Sequence, residues 1–359
     1  MLVLACVAAA ASAAKPPATY YPGAEWRQGT PKSQKLDSAK LAALVEKLRS
    51  GEIADIDSLL IVRNGYLVVE EYFNGSSAEH VHTLQSDSKS VTSLLVGIAL
   101  KQGYLRSLDQ RVLDFFPDYA PFRNLDQRKE AMTRRDLITM RGGFDWSEAN
   151  YSTSPLAQLN TCRCDWLRFV LDWPMWEAPG ERWEYNSGGV ILLGGALVRA
   201  TGQPIHQFAR EQLFTPLGIQ GAFWYVGLPD NLAHTGGGLN MRASDMARIG
   251  YLLLKKGKWA GQQIVSEAWL KESTQHWTQP SWTLGGYPAD YGYLWWLLPV
   301  NKPGKPSQPD IYTAAGSRDQ WIFVIPRYEM VVVVTGNTSS TFAEPVDFLY
   351  RDILPAVLK

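Results

Sequence analysis

The stretch Ser86-Asp87-Ser88-Lys89-Ser90 opens an apolar run with helical spacing that continues through Val91, Leu94, Leu95 and Ile98 and stops near Gly103. On a helix, residues three apart share one face about one turn apart, so the Ser86 hydroxyl and the Lys89 amine face the same way. That is the minimum arrangement for a serine nucleophile with a built-in proton acceptor. The pattern is short enough to arise by chance, and Ser12 to Lys15 repeats it in an alanine-rich N-terminus where it carries no chemistry. Its weight depends on whether the rest of the chain supplies partners for Ser86.

Working outward, Ser58–Arg63 and Tyr66–Phe73 read as strands, and the Asn64-Gly65 between them is a strong hairpin signal. Before them, residues 36–50 carry helical apolar spacing at Leu41, Leu44, Val45 and Leu48, with Asp37 or Ser38 as cap. From Ser86 to about Gly221 the pattern predicts mostly helices, at Leu108–Phe116, Thr133–Met140, Trp166–Leu171, Val190–Thr201 and Ile205–Leu213. After Gly236, helical patterns at Ser244–Lys255 and Glu267–Ser273 precede strands at Gln320–Ile325 and Glu329–Thr335. A last helix is expected at Phe342–Leu354. Strands at both ends with helices between predict an α+β fold: one sheet built from both chain ends and an inserted all-α subdomain. The expected division is a 1–14 export signal, a 15–35 arm, a sheet-containing α/β subdomain from 36–85 and 235–359, and a mostly helical subdomain over 86–234. Ser86 then lies where sheet and insertion meet, a usual place for a cleft.

Composition narrows the partners. The 359 residues are 46% apolar, enough for a large core, and 35 basic residues balance 35 acidic ones. No excess charge recruits nucleic acid or an anionic membrane surface. Fourteen Trp and sixteen Tyr supply either extra packing area or an aromatic-lined cleft. The start, MLVLACVAAAASAAK, ends in Ala11-Ser12-Ala13 and suits export cleavage, while Val3-Leu4-Ala5-Cys6 suits a lipid anchor on Cys6. No later stretch is long and apolar enough to span a bilayer. Cys162 and Cys164 read as too close for an ordinary disulfide with each other, and the five histidines show no metal spacing. No metal and no organic cofactor are expected.

A serine hydroxyl needs a base for its proton and donors for the oxyanion that forms. No Gly-x-Ser-x-Gly elbow surrounds Ser86, which argues against the α/β-hydrolase solution. His82 lies four residues upstream but on the approach to the helix. Tyr185 is the better base: it follows the Pro179-Gly180 turn in a loop that enters the helix at Val190. A nearby Lys89 ammonium is expected to favour its phenolate.

These residues resemble the penicillin-recognising serine hydrolases, in the branch of class C β-lactamases, D-aminopeptidases and DD-peptidases, family VIII carboxylesterases and 6-aminohexanoate-dimer hydrolases. The resemblance runs from about Asp57 to the C-terminus. It rests on Ser86-x-x-Lys89-Ser90, Met140-Arg141-Gly142-Gly143-Phe144, Pro179-Gly180…Tyr185-Asn186-Ser187, Gly236-Gly237-Gly238-Leu239, Ser244-Asp245-Met246-Ala247-Arg248, Tyr291-Gly292-Tyr293-Leu294-Trp295-Trp296 and Ala315-Gly316-Ser317. It implies a β-lactamase/DD-peptidase-like fold with an antiparallel sheet, and an acyl-enzyme on Ser86 with Lys89 and Tyr185 managing the proton. It also implies an oxyanion hole from the backbone N–H of Ser86 and of Ser317, the latter on an edge strand.

Two positions depart from that pattern. Ser187 stands where Asn is common, as in the nylon-oligomer hydrolases and some esterases, and Ala314 stands where Lys or His normally binds a substrate carboxylate. Losing a charged hydrogen bond of roughly 1.5–3 kcal/mol weakens anionic substrates about ten- to a hundredfold, unless Arg318 compensates. The expected substrates are therefore small esters or linear amides. Expected contacts come from Ser187, Gly316, Arg318 and an aromatic cleft of Trp176, Trp183, Tyr291 and Trp296. The alternative is a penicillin-binding or DD-peptidase-like protein, or a weak β-lactamase, that is acylated but turns over poorly. Either would act in the periplasm or outside the cell.

Overall fold

The computed structural model describes residues 19–227, 231–300, 310–338 and 344–358. The expected export segment 1–14, Cys6 and the first residues of the 15–35 arm lie outside them. A seven-stranded antiparallel sheet organises the chain. Its strands are β1 (Ile56–Arg63), β2 (Tyr66–Tyr72), β3 (Asp290–Tyr291), β4 (Trp296–Leu298), β5 (Ile311–Gly316), β6 (Gln320–Ile325) and β7 (Met330–Gly336), in the order β3-β4-β5-β6-β7-β1-β2. Both chain ends therefore meet at the β1–β7 pair, where Leu60 faces Val333 and Ile61 faces Val332. The expected hairpin forms, with Asn64 at φ 51° and Gly65 at φ 78°.

Every residue of β6 and β7 is buried, so side chains on both faces are covered and the Val331–Val334 run needs no polar alternation. Helix α1 (Ser38–Arg49) is capped by Asp37, whose carboxylate accepts from the Ala39 and Lys40 N–H groups, and it buries Leu41, Leu44, Val45 and Leu48. Helix α2 (Asp87–Lys101) packs against β5 and β6 and against α3 (Ser187–Thr201), while α4 (Ala243–Leu254) packs on β1, β6 and β7. A helix buried along its length, such as α2 from Asp87 to Ala99, sits between layers rather than on a surface.

The structure corrects several expectations. Leu108–Phe116 holds only a 3-10 turn at Leu113–Phe115, because backbone bonds to residues 132–135, such as Val112 N–H to the Met132 carbonyl, replace helical ones. The Ile205–Leu213 helix ends at Ala209 and widens into a π-turn over Arg210–Phe214; the last helix is described from Glu344, the expected start at Phe342 lying outside the described residues, and widens likewise over Leu349–Ile353. Short helices at Gln127–Ala131 and Pro155–Thr161 lacked enough periods to be seen. The strand leading to Ser317 is interior, not an edge, because Trp296–Leu298 folds back to pair with Ile311–Thr313. Cys162 and Cys164 do form a disulfide: the chain leaves its helix at Cys162 and bends, setting their Cα atoms 5.3 Å apart, within bridging range. No helix among the described residues is long and apolar enough to cross a membrane.

Candidate active site

Ser86 occupies the cap position of α2, half-buried at the end of a loop in which Gln85 adopts φ 49°. The end of β5 lies directly against this loop. A Cβ on Gly316 would meet the Leu84 carbonyl oxygen at 2.2 Å, so only glycine lets the strand pass. Ser317 follows immediately, partly exposed, and so shares this close approach to the Ser86 loop.

One turn into α2, Lys89 is 1% exposed. Its Nζ donates to Ser86 Oγ at 2.9 Å and to the Gly236 carbonyl at 2.6 Å, and lies 4.7 Å from the Tyr185 ring centroid. Burial disfavours the ammonium and lowers the Lys89 pKa to about 8, against the opposing pull of Glu148 and Asp87. Tyr185 is also buried, and it lines the same cavity as Ser86, whose hydroxyl interacts with the phenol. Burial pushes this phenol well above its ordinary range; the Ser86 interaction opposes that shift, while Glu148 and Asp87 add to it. The expected phenolate is thus overturned: desolvation outweighs any help from Lys89, and the lysine is the group moved toward neutrality.

The loop that receives Lys89 is pinned from below. Thr92 Oγ1 donates to the Thr235 carbonyl at 3.0 Å, and Thr235 Oγ1 donates to the Val190 carbonyl at 2.8 Å. Beside it, His234 Nε2 lies 3.0 Å from Asn160 Oδ1, and burial followed by the Lys89 charge lowers its pKa to about 4. His82 is also lowered to about 4 by burial, and bonds Thr335 rather than any group of the site.

Two acidic residues escaped the sequence reading. Glu148 accepts from the Ser187 N–H at 2.6 Å, from Ser187 Oγ at 3.0 Å and from Trp146 Nε1 at 2.7 Å. It thereby supplies a carboxylate to the N-terminus of α3. No sequence signal links it to Ser187, 39 positions away. Asp87 was read only as a spacer inside the motif. It is fully buried, with neither carboxyl oxygen bonded among the described residues, and burial raises its pKa well above the carboxylate range.

A cavity of about 90 Å³ opens at Ser86. Tyr185, Trp296, Ala315 and residues 282–285 line it together with Ser86. Of the expected aromatic residues, Trp296 lines it. Trp183 and Tyr291 stand behind, Trp183 5.8 Å from Trp296 and Tyr291 4.9 Å from it. Trp176 is 63% exposed and takes no part in the lining. Ser187 has its hydroxyl committed to Glu148. Arg318 is exposed and bonds Asn337 at 3.2 Å, so it does not replace the missing cation; among the described residues, none lining the cavity carries a positive charge. Trp282, Thr283, Leu284 and Gly285 were missed, since nothing in an isolated Gly/Trp-containing loop tells which cleft it faces. Among the described residues, no cluster of His, Cys, Asp or Glu has a metal-binding arrangement.

A family model described as Beta-lactamase matches residues 43–354. Among characterised proteins, the 6-aminohexanoate-dimer hydrolase of Paenarthrobacter ureafaciens is 22% identical over 293 residues, 77% of this chain and 71% of that one. Among solved structures, EstCE1, a hydrolase with promiscuous acyltransferase activity, superposes with a TM-score of 0.72 at 19% identity over 89% of this chain and 99% of its own. The octameric penicillin-binding protein homologue from Pyrococcus abyssi gives 0.68 at 20% identity over 89% and 77%. Likeness at these identities establishes the fold.

Proposed function

The chain belongs to the beta-lactamase family, and from that premise we propose that it is a serine hydrolase cleaving small esters or linear amides through an acyl-enzyme on Ser86. The observation that carries this is the 2.9 Å bond between Lys89 Nζ and Ser86 Oγ, made by a lysine whose burial lowers its pKa to about 8.

Neutral Lys89 takes the Ser86 proton as Oγ attacks the substrate carbonyl. Tyr185, held as a phenol against Ser86, donates a proton to the departing alcohol or amine and is reprotonated from the Lys89 ammonium. Water then enters, loses a proton to the same pair, and releases the acid. The Ser86 and Ser317 backbone N–H groups hold the oxyanion, aided by the N-terminal dipole of α2. Lys89 and Tyr185 share their titration, so the rate profile reports the pair.

The lack of a cationic side chain among the described residues lining the cavity supports uncharged substrates over carboxylate-bearing β-lactams. The 6-aminohexanoate-dimer hydrolase relative supports an amide or ester bond as the target. The Cys162–Cys164 bridge favours an oxidising compartment, in line with export to the periplasm or beyond.

Intact-mass spectrometry tests the reading. Incubation with a fluorophosphonate should label one serine, and a p-nitrophenyl ester should turn over. A stable penicilloyl adduct without ester turnover would instead identify a penicillin-binding protein.

A further inference from the structure

Residues 282–285 reach the cavity from a hairpin that the proton chemistry does not use. Leu284 and Tyr287 exchange backbone bonds of 2.8 and 3.0 Å around Gly285 and Gly286, at φ 56° and 82°, a two-residue turn that glycine adopts without strain. Its outer end is braced, with Tyr287 Oη donating to Asp347 Oδ1 at 2.7 Å and its ring stacking on Tyr350 at 5.0 Å. Its inner end carries Trp282, whose ring lies 5.4 Å from that of Tyr185 and meets Trp183 edge-on at 5.6 Å. The wall is therefore fixed from both ends.

Room for one water needs roughly 10–15 Å³ of such space, so the cavity accommodates on the order of half a dozen non-hydrogen atoms. The acyl group stays bonded to Ser86 while the leaving group must depart, so a small space abutting Ser86 suits the acyl group. Resting on the acyl-enzyme reading above, we propose that Trp282 is a specificity-determining residue that limits the acyl part to uncharged, apolar chains of about four carbons or fewer. A longer chain must displace an indole held by two aromatic neighbours, which costs roughly tenfold or more in kcat/KM.

The test is kcat/KM of the full chain for p-nitrophenyl acetate, butyrate and octanoate, with Trp282→Ala and the milder Trp282→Phe. Wild type should favour butyrate over octanoate by at least about tenfold, and Trp282→Ala should cut that preference about tenfold, with Trp282→Phe between. Trp282→Phe also decides the matter if the alanine variant fails to fold. A wild-type profile flat in acyl length overturns the proposal. So does an active Trp282 variant with unchanged preference, or one whose altered preference appears only when the alcohol is lengthened at constant acetyl. These outcomes leave the serine-hydrolase reading standing, whereas loss of all Ser86-dependent ester turnover overturns both.

Discussion

The two flanks of Ser86 are built from opposite materials. On the helical flank, Lys89, Tyr185, Glu148, Ser187, Thr92 and Thr235 are buried or half-buried, and the side chains of Lys89, Glu148, Ser187, Thr92 and Thr235 are hydrogen-bonded. On the sheet flank, β5 offers Ala314, Ala315 and Gly316, whose side chains carry no polar atom, and the cavity hairpin adds Trp282 and Leu284. Buried polar groups are costly unless satisfied, and the proposed mechanism uses this helical flank to move a proton. Around the cavity the sheet flank offers mainly apolar side chains, with Thr283 the polar exception. On the proposed reading, proton chemistry belongs mainly to the helical flank and substrate choice mainly to the sheet flank.

Breaking the helical flank gives the largest effects. Ser86→Ala should lower ester kcat/KM by at least about 10⁴-fold, since the covalent route is lost. Tyr185→Phe should cost roughly 10²–10⁴-fold, the usual range for removing a general acid, measured on an ester with a poor leaving group. A loss under about threefold would make Tyr185 a packing residue. The sheet flank is probed by nitrocefin, a carboxylate-bearing β-lactam, which should react about ten- to a hundredfold less efficiently than the best short ester for want of a cation.

The pH profile sharpens the comparison further. Because neutral Lys89 is the active form and its pKa is about 8, kcat/KM should rise with pH through that value and level off above it. Asp87→Asn removes a group whose charge raises the Lys89 pKa, so the rising limb should move to lower pH. Stability should respond at lower pH. His82 and His234 have folded pKa values of about 4 against the ordinary 6.5, so the unfolded chain binds more protons between these values. The melting temperature should therefore fall as pH drops from 6.5 toward 4, and His234→Asn should flatten part of that fall.

The helical flank was largely legible in the sequence, because Ser86 and Lys89 are one turn apart and Tyr185 follows a recognisable Pro-Gly turn. The sheet was legible at its chain ends, where Asn64-Gly65 and the valine run carry strong local signals. What stayed hidden depends on long-range contact. Glu148 acquires its role only by meeting Ser187, and Trp282 only by meeting Tyr185 across 97 positions. The direction of the Tyr185 shift was also beyond the sequence, since it is decided by burial and not by the neighbouring charge. Trp176 shows the converse error: an aromatic residue beside the right motif that points to solvent.

The most direct test of the central claim is to quench the full chain with acid during turnover of a slow ester and locate the adduct by peptide mass spectrometry. The account predicts one acyl group on the peptide containing Ser86, absent in Ser86→Ala. An acyl group on another residue, or full turnover by Ser86→Ala, would contradict it.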